Sequence, residues 1–165
     1  MTVPAIVMRG SQCWNTPLAV FDLIERLTGL RGFDLDPCSN PTSIVPAAAS
    51  YSIDAGADGL ALPWSGRVFV NPPFSNIAPW ARRFIEHSAT TWRGGFMLVP
   101  AVFQPKWARV LRESGMRFVI PPRRFAFIGK SKSPPAATML VTREALSGVA
   151  PIDACMPPDF AADGG

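Results

Sequence analysis

Six residues set the fold class. Ile77, Trp80, Ala81, Phe84, Ile85 and Ser88 recur at i, i+3, i+4, i+7, i+8 and i+11, the period of a helix with one buried face. Short apolar runs flank them, in Arg67–Val70 and Gly95–Val99. Neither run alternates with polar residues, so each reads as a strand buried on both faces. A strand, a helix and a second strand in that order require a crossover, which makes the strands parallel.

The rest of the chain extends this pattern. Thr16-Pro17 is a helix start, with a hydroxyl cap followed by proline at the first helical position. Leu18, Phe21, Ile24 and Leu27, with Val20 and Leu23, follow as an apolar stripe, and Gly29 ends the helix. Phe33–Asp36 reads as a strand that stops at Pro37. Residues 38–66 hold five Ser, three Pro and three Gly without a lasting period, which predicts a long, partly ordered loop with a function. Ser75 or Asn76 caps the helix over 77–88. Pro105–Glu113 is a helix with Trp107, Val110 and Leu111 inward, and Arg117–Ile120 is a fourth strand. Phe125–Ile128 and Ala137–Val141 read as a terminal hairpin around the loop Gly129–Pro135. The expected architecture is an α/β domain over residues 1–153, with a mostly parallel sheet and an antiparallel C-terminal hairpin. Residues 1–13 read as a loose lead-in, and the Pro/Ala/Asp/Gly-rich residues 154–165 as a disordered tail.

Composition excludes several classes of function. The longest apolar run, Phe96–Phe103, is far too short to span a bilayer. Met1–Gly10 has neither the basic nor the apolar region of a secretory signal. Cys13, Cys38 and Cys155 are odd in number and widely spaced, giving neither a disulfide framework nor a zinc pattern and fitting a reducing cytosol. His87, the only histidine, reads as a polar residue on a helix face. No metal site is expected. There is no G-x-G-x-x-G, no G-x-x-x-x-G-K-[ST] and no G-x-S-x-G, so phosphoryl transfer and ordinary dinucleotide binding lose most of their support.

Charge divides the chain. Residues 1–75 carry four Lys/Arg and six Asp/Glu, and residues 76–165 carry twelve and six. The basic half suits a polyanion. Arg82, Arg83 and Arg109 read equally well as solvated helix faces. Arg123, Arg124, Lys130 and Lys132 lie among prolines and glycine in a loop, where nucleic-acid contact is the favoured reading.

Chemistry concentrates at Asn71-Pro72-Pro73-Phe74. Of the four Pro-Pro pairs, only this one has Asn, Asp or Ser before it and an aromatic residue after it. It leaves the carboxyl end of a strand, where open α/β sheets bind ligands. The Asn71 amide oxygen and the Pro72 carbonyl can each accept one N–H of a planar exocyclic amine. Phe74 can stack on the attached ring. A Pro-rich turn with Phe74 as a core plug would account for the same letters. Asp36-Pro37-Cys38-Ser39 leaves another strand end; its carboxylate could bind an ammonium or a ribose hydroxyl, or simply form an Asp-Pro turn. Asp58-Gly59 could offer a carboxylate to a nucleobase amine, or be an Asp-Gly turn.

The ordered set resembles the small phage-type, Dam-like DNA N6-adenine methyltransferases. It covers about residues 11–142: Trp14-Asn15-Thr16-Pro17, Phe33–Cys38, Tyr51, Asp58-Gly59-Leu60, Trp64-Ser65-Gly66, Val68–Phe74 and Arg124–Phe127 with its Pro/Ala-rich sequel. The resemblance implies a Rossmann-like methyltransferase sheet and S-adenosylmethionine as the donor. It further implies site-specific methylation of adenine N6 in double-stranded DNA, in the cytoplasm of a bacterial or phage-infected cell. Asn71 and Pro72 would hold the amine and Phe74 would stack on the extruded base. Thr16, Asp36 with its neighbour Pro37, and Asp58 would line the donor pocket. The donor turn Asp36-Pro37-Cys38-Ser39-Asn40-Pro41 lacks the glycines of wider adenine methyltransferases. Two other readings remain: another planar amine as acceptor, such as cytosine N4 or RNA adenine, or a nucleic-acid-binding module without turnover.

Overall fold

A computed structural model describes residues 15–91, 94–127 and 137–147. The lead-in 1–13, Trp14, the loop Gly129–Pro135 with Lys130 and Lys132, and the tail from 154 lie outside the described residues.

Six strands form one sheet: β1 (Phe33–Ser39), β2 (Ala47–Ser52), β3 (Val68–Val70), β4 (Gly95–Pro100), β5 (Arg117–Val119) and β6 (Thr138–Thr142), in the order β2-β1-β3-β4-β6-β5. β1 pairs in parallel with β2 and β3, and β3 with β4. β6 runs antiparallel to both β4 and β5, which leaves β5 parallel to the other four. The mixed α/β, mostly parallel sheet read from the sequence is therefore present.

Helix α1 (Leu18–Thr28) covers one face; α2 (Ile77–Thr90) and α3 (Lys106–Glu113) cover the other. The strands divide between the faces with a period of two. Val68, Val70, Met97, Val99, Met139 and Val141 pack with Trp80, Ala81 and Phe84 of α2 and Leu111 of α3. Phe69, Phe96, Leu98 and Leu140 pack with Val20, Ile24 and Leu27 of α1. Burial on both faces explains why the strands read as continuous apolar runs.

The structure corrects the sequence reading at five places. Helix α1 begins at Leu18, which is exposed and so not part of the buried stripe; its N-cap position is Pro17, and no side chain caps it. Gly29 ends it as expected, in the left-handed region at φ 74°. β1 does not stop at Pro37 but runs to Ser39, because the register with β2 shifts between Asp36 and Ser39. A bulge there absorbs a residue that has no N–H to give the ladder. Within 38–66, β2 and a 3-10 turn over Ile53–Ala55 replace the expected loop.

The hairpin partner also differs. Phe125–Phe127 form no strand, and β6 pairs instead with β4 and β5. All five β6 residues are buried, so this strand requires a neighbour on each side. Phe127 is buried, and Phe125 half-buried, against the α1-side core. Finally, His87 is buried, with Nε2 2.8 Å from the Gly66 carbonyl and its ring edge-on to Trp64. That carbonyl can only accept, so Nε2 carries the proton.

Beneath the sheet, Glu144 joins the strand starts. Its Oε1 accepts from Arg67 Nε at 2.7 Å and from the Gly95 amide at 3.2 Å, and its carbonyl accepts from Arg117 Nη1 at 3.0 Å. This ties the reversed strand to β3, β4 and β5 at the end opposite the motifs.

Candidate active site at the switch point of the sheet

From β1 the chain goes outward to β2, then returns past β1 to β3 and onward to β4. The strand order therefore reverses between β1 and β3, and the crevice beyond their carboxyl ends is where doubly wound sheets bind ligands. Asp36-Pro37-Cys38-Ser39 closes β1 and Asn71-Pro72-Pro73-Phe74 follows β3, so the two motifs flank that crevice.

On the β3 side, the Asn76 amide donates to the Pro73 carbonyl at 2.9 Å and closes a turn just before α2. Asn76 holds the N-cap position of α2, but its side chain makes no cap bond. Pro72 is buried and Phe74 half-buried against the α2–α3 core. Asn71 Nδ2 donates to the hydroxyl of buried Thr16 at 3.0 Å.

On the β1 side, Asp36 is 2% exposed. Burial pushes its carboxyl up from 3.8 to about 6, against hydrogen bonds from Ser39, the Cys38 amide and Ser43 that pull it down. The turn that follows is built from side-chain oxygens. Asp36 accepts the Cys38 amide at 3.1 Å, Asn40 the Thr42 amide at 3.0 Å and Ser43 the Val45 amide at 3.3 Å. These are Asx- and Ser-type turns. Among the described residues no non-glycine has positive φ, so the lack of glycine in this turn imposes no backbone strain.

A cleft of about 480 Å³ opens beside this turn, lined by Asp36, Ser39, Asn40, Ser43, Ser52 and Asp54, among others. Hydroxyls and two carboxylates suit a ligand bearing an ammonium and sugar hydroxyls. The sequence reading named Asp36 but missed Asp54. Its signal was an acidic residue just past a strand end, which stayed hidden because β2 itself went unrecognised.

The other expected donor residues sit differently. Thr16, Pro37 and Asp58 do not line that cleft. Asp58 Oδ1 accepts from the Leu60 amide at 2.9 Å, an Asx turn. Gly59 packs on the Pro37 carbonyl, and Trp64 Nε1 donates to the Gly59 carbonyl at 2.6 Å. Trp64 in turn stacks on Trp80 of α2 at 6.3 Å. The Asp58 turn is thus fixed against the end of β1 by α2.

Arg123 and Arg124 are exposed on the segment that leaves β5 at the same carboxyl edge of the sheet. Arg83 instead spans Trp64 and the Leu62 carbonyl, and Arg109 lies 3.9 Å from Glu113. Among the described residues, no group of three or more His, Cys, Asp or Glu could hold a metal ion, and no helix is long and apolar enough to cross a membrane.

No curated protein and no solved structure matches the chain. A family model does, described as DNA N-6-adenine-methyltransferase (Dam), over residues 7–144. That span takes in both strand-end motifs and the whole described sheet, and the chain belongs to this DNA adenine-N6 methyltransferase family.

Proposed function

We propose that this protein transfers a methyl group from S-adenosylmethionine to N6 of adenine in double-stranded DNA, on a Rossmann-like methyltransferase sheet. The observation that carries the reading is the pairing of Asn71-Pro72-Pro73-Phe74 with the buried Asp36 across the switch point. One strand end is built to accept an amine's protons and its neighbour to accept a cationic, hydroxylated ligand.

The residues fit the donor. Asp36 would receive its ammonium, and Asp54, with Ser39, Ser43 and Ser52, its sugar hydroxyls. Bound there, the sulfonium supplies an electrophilic methyl group. The adenine amine is a weak nucleophile because its lone pair is delocalised into the ring. Acceptors at both its hydrogens, the Asn71 amide oxygen and the Pro72 carbonyl, favour a more pyramidal and electron-rich nitrogen in the transition state. Neither acceptor is a base, so the surplus proton leaves to water.

The target base must leave the duplex at a cost of a few kcal/mol, which stacking on Phe74 offsets by about 1–3 kcal/mol. Arg123, Arg124, Lys130 and Lys132 would hold phosphates, making binding strongly salt-dependent. The unstrained donor turn also favours an enzyme over a binding module that has lost its donor.

The test is incubation with methyl-labelled S-adenosylmethionine and duplex DNA, alongside calorimetry of the donor alone. Label in DNA together with donor binding supports the reading. Donor binding without label in DNA removes the acceptor assignment, and no donor binding removes the enzyme.

A further inference from the structure

We propose that Thr16 is the positioning residue for Asn71, holding its side-chain amide with the oxygen turned toward the acceptor amine. The inference rests on the amine-gripping role proposed for Asn71. It moves Thr16 from the donor pocket, where the resemblance would place it, to the acceptor side.

The observed contact is Asn71 Nδ2 donating to Thr16 Oγ1 at 3.0 Å. Thr16 is 3% exposed, so water does not readily replace its hydroxyl. An asparagine amide has two ends of nearly equal size but opposite polarity. Only the oxygen end accepts an N–H, and the flipped amide would present donors to a donor. When the oxygen faces the amine, the nitrogen end needs an acceptor behind it, and Thr16 Oγ1 is that acceptor. Removing the hydroxyl leaves a part-buried N–H unsatisfied in the productive orientation alone.

Thr16 is itself held. Its neighbour Asn15 donates to Thr42 Oγ1 at 2.8 Å and accepts from Asn40 Nδ2 at 2.9 Å. On the other side Pro17 is buried and leads into α1. The Asn15–Thr16 segment therefore bridges the crevice, anchored to the turn after β1 and touching the tetrad after β3.

The test compares Thr16→Val, which keeps the shape, with Thr16→Ser, which keeps the hydroxyl. Methylation kinetics on duplex DNA, donor calorimetry and thermal melting are measured for each. The expected result for Thr16→Val is a kcat lower by about 10- to 100-fold. Its donor Kd and DNA KM should stay within about threefold, and Thr16→Ser should retain most of the kcat. If Thr16→Val melts early, Thr16→Ala is read at a temperature where it is folded. An unchanged kcat in the variant lacking the hydroxyl overturns the inference. So does a donor affinity that falls in step with kcat, which would return Thr16 to the donor pocket. Wild-type protein that forms no N6-methyladenine overturns the proposed function instead, and this inference with it.

Discussion

Gly59 lies directly against the backbone carbonyl of Pro37, and a methyl group on Gly59 would overlap that oxygen and crowd Trp80. Two segments far apart in sequence, the Asp58 turn and the end of β1, are thereby held at van der Waals distance. Because the obstruction is backbone on one side and a buried indole on the other, neither can step aside cheaply.

Gly59→Ala should therefore destabilise the protein by about 1–3 kcal/mol, the usual range for overpacking a filled site. In thermal unfolding that is a fall in Tm of roughly 5 °C for a chain of this size. Alanine at 59 with an unchanged Tm would show that the turn is not seated on Pro37.

The buried Asp36 carboxyl gives a pH signature. Its folded value, about 6, lies above its ordinary 3.8, so the fold binds this proton more tightly than the unfolded chain does. The stabilisation is complete below about pH 4 and is lost as pH rises through 6. Asp36→Asn removes the titration. Without donor, the variant should gain on wild type between pH 4 and pH 7.5, by up to roughly 3 kcal/mol. Urea unfolding of both proteins at the two pH values measures this. A gap that does not change with pH would mean the carboxyl is not desolvated.

At the opposite end of the sheet, Glu144 should matter for stability and not for chemistry. Its carboxylate serves Arg67 and the Gly95 amide, with side-chain exposures of 18% for Arg67 and 11% for Glu144. Glu144→Ala strands a half-buried guanidinium and a buried N–H, at a cost of about 2–4 kcal/mol. Chemical denaturation should show the loss, while kcat measured well below Tm stays within about twofold. A drop in kcat without a loss of stability would contradict this division.

These sites differ in how far the sequence disclosed them. The α2 stripe and the runs in β3 and β4 were legible because burial on both faces leaves an unbroken apolar signal. β2 was not, because Ala47–Ser52 is an edge strand of mostly small residues, all of them at least partly exposed. Its pairing with β1, not its own propensity, makes it a strand. Asp54 was hidden along with it. The bulge at Pro37 and the partners of β6 depend on long-range register, which local pattern does not carry. Asn71 and Asp36 were legible as letters at strand ends. Their shared crevice follows from strand order, and the Thr16–Asn71 contact joins residues 55 positions apart.

The central claim is that Asn71 grips the adenine amine while the β1 side holds the donor. The most direct measurement is nucleoside analysis of duplex DNA after incubation with S-adenosylmethionine and either wild-type protein or Asn71→Ala, with donor calorimetry on both. The account predicts N6-methyladenine from wild type, a loss of at least about 100-fold in Asn71→Ala from the missing transition-state hydrogen bond, and nearly equal donor affinity. N4-methylcytosine as the product, or N6-methyladenine formed equally by both proteins, would contradict it.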